Sequence, residues 1–209
     1  MISGIVLAAG ASSRMGQAKG SLPLNATGDT VVARVVRTLL AGGIPDLVVV
    51  AGAHIDAVRR AMPAFAAASA GNSAAPRARV IEHPQWQRGQ LSSLLAGLDA
   101  IDGPLLEAAL MTLVDVPMVA PATVAAVIRA WRASRAPIVR PAMGERHGHP
   151  VIFDRSVFDA LRSANPDVGA KAVFAMHQDR IVNVEVNDPG AFVDIDTPAD
   201  YQKLLRSGA

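Results

Sequence analysis

The chain has 209 residues, 51% of them hydrophobic and 4% aromatic, with no cysteine and a net charge of +2. That length fits one domain, residues 1–209, whose core is large enough to hold without staples. The absent cysteines exclude disulfides and thiolate metal centres. The charge excess is small despite a pI near 9.5, and base-stacking aromatics are scarce, so nucleic acid is not an expected partner. The N-terminus lacks a cationic region, and the apolar stretch Ile5–Ala9 is too short for a signal peptide or a membrane span. A cytoplasmic protein with no membrane partner is expected.

Ile2–Ala8 reads as a buried strand, because its apolar run is continuous rather than alternating. Residues 9–28 form a long loop. Asp29 and Thr30 then cap a helix whose Val31, Val32, Val35, Val36, Leu39 and Leu40 recur at helical spacing, and Gly42 and Gly43 end it. A second strand covers Leu47–Val50, a short helix Ile55–Met62, and a third strand Val80–Ile81. Between them, Ala64–Arg79 is rich in Ala, Ser and Pro and reads as a helix end followed by a surface loop. Ser92–Ile101 is helical, Ala109–Val114 a fourth strand, and Pro121–Ser134 a helix. Short strands follow at Pro137–Arg140 and Val151–Phe153. Helices are expected near 155–162 and 169–176, then a strand at 181–186. Thr197 caps a last helix with Pro198 at its first position. Strand–helix alternation predicts a Rossmann-like, three-layer α/β/α fold with a mostly parallel sheet. Ligands of such sheets sit at the carboxyl ends of the strands.

The first of those ends carries LAAGASSRMGQAK. It is not a Walker A loop, since no Gly-Lys-Ser/Thr follows, and it contains no G-x-G-x-x-G. Small residues with two cations, Arg14 and Lys19, make an anion cradle; on composition alone, a solvated glycine-rich turn fits equally. The stretch resembles the L-A-A-G-x-S-x-R-M-G-x-x-K signature of the MobA-like nucleotidyltransferases, matching at Leu7, Ala8, Ala9, Gly10, Ser12, Arg14, Met15, Gly16 and Lys19. The resemblance implies that Ala8–Gly10 wrap the base and ribose while Arg14 and Lys19 hold a triphosphate.

Later stretches extend the resemblance over nearly the whole chain, most weakly across 62–79. HPQWQRGQLSSLLAGL is similar to a family segment with a glycine before a serine-started helix, matched by Gly89, Ser92 and Ser93. Read alone, those serines are an ordinary helix cap. Gly52, at the end of the second strand, and His83, after the third, join the expected nucleotide-binding set. LMTLVDVPMV puts Asp115 at the end of an apolar strand, where the family's acid binds magnesium. A site of one or two carboxylates plus phosphates and water suits that ion. FVDIDTPADY resembles D-x-x-T-P ends of wider nucleotidyltransferases; Asp194 is the first choice for second metal ligand and Asp196 the second.

ERHGHPVIF resembles the G-H-P segment of the cytidylyltransferase branch, placing His149 in an acceptor pocket. His147 reads as surface, and no third ligand makes the two histidines a metal site. Asp167–Lys171 is similar to a following G-D-x-G-A-R segment, with Lys171 at the arginine's position and facing either an anionic acceptor or solvent.

The implied reaction transfers a nucleoside monophosphate to a phosphorylated acceptor of the molybdopterin type and releases pyrophosphate. Arg14, Lys19 and Asp115 carry catalysis, with Mg2+ as cofactor. A phosphomonoester is already a dianion near neutral pH and needs no general base. The resemblance also admits a molybdoenzyme as protein partner. Cytosine is expected over guanine. Ala8-Ala9-Gly10 resembles the cytidylyl branch rather than the roomier Ala-Gly-Gly, and His83 stands where the guanylyl branch has a purine-reading aspartate. Lys19-Gly20 points the other way.

Two other readings stay open. One is a nicotinamide-dependent oxidoreductase of the same superfamily, of the nicotine blue reducing kind. Its glycine fingerprint and its ribose-binding acid about 20 residues on are both missing. The other is a non-catalytic nucleotide- or cofactor-binding relative, against which Lys19, Asp115 and Asp194 together argue.

Overall fold

The computed structural model describes residues 1–25, 28–62 and 77–206. Its centre is an eight-stranded sheet. In chain order the strands are β1 (Ile2–Ala8), β2 (Asp46–Ala51), β3 (Arg77–Glu82), β4 (Ala108–Leu113), β5 (Ile138–Met143), β6 (Arg146–His147), β7 (Val151–Asp154) and β8 (Ile181–Glu185). Their spatial order is β3-β2-β1-β4-β7-β5-β6, with β8 beside β5.

All of β1 is buried. Its side chains alternate between two cores: Val6 and Ala8 join one, Ile5 and Leu7 the other. A strand covered on both faces has no polar side, which is why its sequence does not alternate. The first core holds the apolar faces of α1 (Val31–Ala41) and α4 (Pro121–Ser134); the second holds α3 (Gln90–Ile101), α5 (Phe158–Ser163) and α6 (Lys171–Met176). Among the described residues the remaining α-helices are α2 (Ile55–Arg60) and α7 (Pro198–Arg206). Among the described residues no helix is long and apolar enough to cross a membrane.

Strands β3, β2, β1 and β4 run parallel, and β8 runs parallel to β5. Strand β7 enters antiparallel between β4 and β5. Only residues 144–150 join β5 to β7, too few for the helical crossover that a parallel neighbour requires.

Other differences are local. β3 begins at Arg77, three residues earlier than expected, where Arg77 and Arg79 pair with Asp46 on the neighbouring β2. The expected loop from Ala64 to Pro76 lies outside the described residues. Thr30 caps α1 by accepting from the Ala33 amide at 3.3 Å, whereas Asp29 pairs with Arg37 instead. Helix α3 starts two residues before Ser92, entered through Gly89 at φ +95°, a backbone state L side chains rarely adopt. Thr197 caps α7 reciprocally: Asp200 Oδ2 accepts from the Thr197 amide at 2.8 Å, and Thr197 Oγ1 accepts from the Asp200 amide at 3.3 Å.

The segment before α7 is strapped across the strand ends. Asp188 accepts from the Ala120 amide and the Thr123 hydroxyl at 2.9 and 2.6 Å. His149 donates its amide to the Ala191 carbonyl at 3.0 Å, and Ile195 donates to the Asp115 carbonyl at 2.8 Å. A Cβ at Gly148 would stand 2.1 Å from the Ala191 carbonyl oxygen. We expect Gly148→Ala to push this strap off the sheet and cost about 1–3 kcal/mol, measured by urea unfolding; an unchanged midpoint and slope would refute the close approach.

Candidate active site

The sheet order reverses between β1 and β4, and ligands of open α/β sheets bind outside such a switch point. A cavity of about 430 Å³ opens there, lined by the ends of β1 and β4, the first loop and the start of α3. Met15 and Ala18 are buried and pin the loop into the core. The Ser12 carbonyl accepts from the Met15 amide at 2.9 Å, and the Ser12 hydroxyl accepts from the Lys19 amide at 3.2 Å. His54 at the end of β2 bonds the Ala11 carbonyl through Nε2 at 2.9 Å, holding the loop from the other side.

These anchors deliver Lys19 to two other chain segments. Its ammonium lies 3.2 Å from Asp115 Oδ2 and 2.6 Å from Asp196 Oδ1, and its side chain is only 11% exposed. Arg14 closes the other side of Asp196 at 3.0 Å. The Lys19 hydrogen bond, with the nearby Arg14 charge, holds the Asp196 carboxyl below its usual range. Asp194 behaves oppositely: burial, then the Asp115 and Asp196 charges, push its carboxyl up, and Lys19 offsets this only in part.

Asp115 Oδ1 is buried without a hydrogen-bond partner. Two cations thus face three carboxylates, with one orphaned oxygen and one carboxyl reluctant to ionise. Such a donor set fits a hard divalent cation that takes one or two carboxylates and completes its shell with water and phosphate oxygens. Among the described residues no three acidic or histidine side chains form a cage by themselves.

A second cavity of about 380 Å³ lies on the far side of Leu7 and Gln90, which line both. His149 and Lys171 line it. Burial pushes the His149 imidazole down, against the Asp115 charge and a hydrogen bond to the Met111 backbone. His149 Nδ1 is buried and unpartnered.

The domain pattern of MobA-like NTP transferases matches residues 4–181. The chain belongs to the MobA-like NTP transferase family. It is 30% identical to a nicotine blue oxidoreductase of Paenarthrobacter nicotinovorans over 98% of this chain and 96% of that protein. Among solved structures it is similar to Rv0371c of Mycobacterium tuberculosis, at 31% identity and TM-score 0.75 over 98% and 97% of the two chains. Rv0371c has also been solved in complex with manganese. A nucleotidyl transferase from Methanothermobacter superposes with TM-score 0.78 at 26% identity, over 100% and 99% of the chains. The Rossmann-like nucleotidyltransferase fold expected from the sequence is therefore the one found.

Within this MobA-like frame, Leu7, Ala8, Ala9, Gly10, Ser12, Arg14, Lys19, Gly89, Ser93 and Asp115 all line the first cavity. Gly52 and His83 do not. Gly52 lies under Trp86, whose Cβ would stand 2.6 Å from any Cβ added there. His83 bonds the Ser92 hydroxyl through Nε2 at 3.0 Å. Asp196, the second choice of the two late aspartates, is the one both cations hold, while Asp194, an exposed residue, pairs with neither.

Sequence reasoning missed His54, Trp86, Gln87 and Gln90, all lining the first cavity. His54 was within reach of the rule that ligands gather at strand ends, since it follows β2. The others sit on the turn into α3, where no spacing marks them.

The raised Asp194 carboxyl yields a test with a definite sign. A group easier to protonate folded than unfolded opposes folding once ionised, and this penalty vanishes below its unfolded pKa of about 4. In chelator at neutral pH, Asp194→Asn is expected to unfold at a higher temperature than the parent, with the gap closing as pH falls below about 4. A lower melting temperature at neutral pH would contradict it.

Proposed function

We propose that this protein transfers CMP from CTP to a phosphorylated small-molecule acceptor of the molybdopterin type, releasing pyrophosphate. The observation that carries the reading is the convergence of Lys19 and Arg14 with Asp115, Asp194 and Asp196 at the mouth of the first cavity. Asp115 and Asp194 would hold magnesium, which supplies charge stabilisation to the phosphates. The manganese complex of Rv0371c supports a divalent ion of this kind.

Lys19 and Arg14 already neutralise oxyanions in the form of aspartate. A triphosphate would take over those contacts and place its leaving pyrophosphate against the two cations. The acceptor phosphate would approach from the second cavity, past Leu7 and Gln90. Its oxygen attacks the α-phosphorus, the bond to the β-phosphate oxygen breaks, and Lys19 and Arg14 hold the departing charge. No proton has to move, because the attacking phosphomonoester is a dianion near neutral pH. Rate enhancement then rests on positioning and charge neutralisation. A molybdoenzyme that receives the product fits the same reading.

Since His83 does not line the first cavity, the preference for cytosine rests on Ala8-Ala9-Gly10. The Ala9 position lines the first cavity, and a glycine there would leave more room for a purine. The full-length similarity to nicotine blue oxidoreductase favours a second reading, hydride transfer from a nicotinamide cofactor. Against it stand the missing G-x-G-x-x-G and the Lys19–Asp115–Asp196 cluster, for which hydride transfer has no use.

The deciding experiment is pyrophosphate release with CTP, GTP or ATP and molybdopterin, run beside consumption of NADPH with nicotine blue. Magnesium-dependent release is expected, with Asp115→Asn lowering the rate about 10²–10³-fold at unchanged fold. A variant within a few-fold of the parent would remove Asp115 from the reaction. With one shared acceptor, kcat/KM for CTP should exceed that for GTP by about 10². GTP equal to CTP would overturn the base assignment alone.

A further inference from the structure

The second cavity contains a cation that the transfer reaction described above leaves unused. Arg140 on β5 lines it, and its guanidinium lies 5.4 Å from the centre of the Phe174 ring. Its Nε donates to Asn183 Oδ1 at 2.9 Å, from the register partner on β8. That bond fixes the plane of the guanidinium and involves neither terminal nitrogen. Among the described residues no carboxylate lies within ion-pair distance of Arg140, whereas Arg14, Arg37, Arg79, Arg155 and Arg162 each have one. Among the described residues the one carboxylate lining this cavity is Asp167, set against Arg140, Lys171 and two histidines.

A partly buried guanidinium without an anion is costly, since burial disfavours its charge and the Asn183 bond and Phe174 ring offset that loss only in part. Burial indeed holds Arg140 below its usual range. Burial, and then the Arg140 charge, depress the neighbouring His147. The cavity is therefore built cationic at this end and stacked on an aromatic ring.

We propose that Arg140 is a specificity-determining residue that binds a second anionic oxygen group of the acceptor, distinct from the phosphate that attacks. The inference rests on the second cavity being the acceptor's. A fixed guanidinium plane matches two oxygens of one anion side by side, which an ammonium cannot do. The acceptor would thus carry an anionic group at the Arg140 end of the cavity, beside the Phe174 ring.

The test uses inorganic phosphate as probe and needs no turnover. Phosphate is titrated into the full chain while the backbone amide signals of His147 and Gly169–Lys171 are followed by NMR. Those signals should move in the parent, and Arg140→Gln should weaken the response about tenfold or more. Arg140→Lys should fall between, having charge without the fork, and would serve if the glutamine variant folds poorly. Signals that ignore phosphate in the parent, or equal affinity in the parent and Arg140→Gln, overturn the proposal. A protein that binds phosphate here yet releases no pyrophosphate would instead defeat the transferase reading and leave this site standing.

Discussion

One ammonium group ties the ligand-binding end of this fold together. Lys19 arrives on a loop from β1, Asp115 on the end of β4, and Asp196 on the strap before α7, and the three meet within 3.2 Å. Each of these segments is irregular and has little sheet hydrogen bonding of its own. Removing the lysine would leave two carboxylates of one sign facing each other, with a third, Asp194, already reluctant to ionise. A partly buried pair of this kind contributes little net stability, but losing one partner costs far more than the pair contributes. The cluster is therefore better understood as registering three segments against one another than as a source of folding energy.

The same cluster accounts for how such a site can accept a highly charged ligand. Phosphate oxygens need cations that are fixed in place and not already committed to solvent. Lys19 and Arg14 are fixed by Asp115 and Asp196 rather than by solvent. The two adjoining cavities follow from the sheet. Leu7 at the end of β1 and Gln90 at the start of α3 stand between them, so two ligands can approach one point from opposite sides.

Much of this was legible in the sequence. The strands and helices around β1, α1, β4 and α4 were readable because their apolar periodicity reflects burial on two faces or one. The first loop was readable because small residues, a buried Met15 and two cations sit at fixed spacing. Less legible were features decided by contacts distant in the chain. Asp194 and Asp196 have the same residue type and neighbouring positions, and only the course of the strap determines which one meets Lys19. His83 looked suited to a base contact, yet its imidazole is spent on Ser92, nine residues away.

By itself the sequence determined the α/β class, the family membership carried by the first loop, and the set of charged residues from which a site had to be drawn. These are properties of local pattern, written within one or two turns or strands. Tertiary structure alone decided the insertion of β7 between β4 and β5, the pairing of both cations with Asp196, and the isolation of Arg140 from any described carboxylate. Each depends on which residues become neighbours across more than forty positions of chain or across a sheet. That adjacency is set by the packing of two cores on one sheet, and no local pattern encodes it.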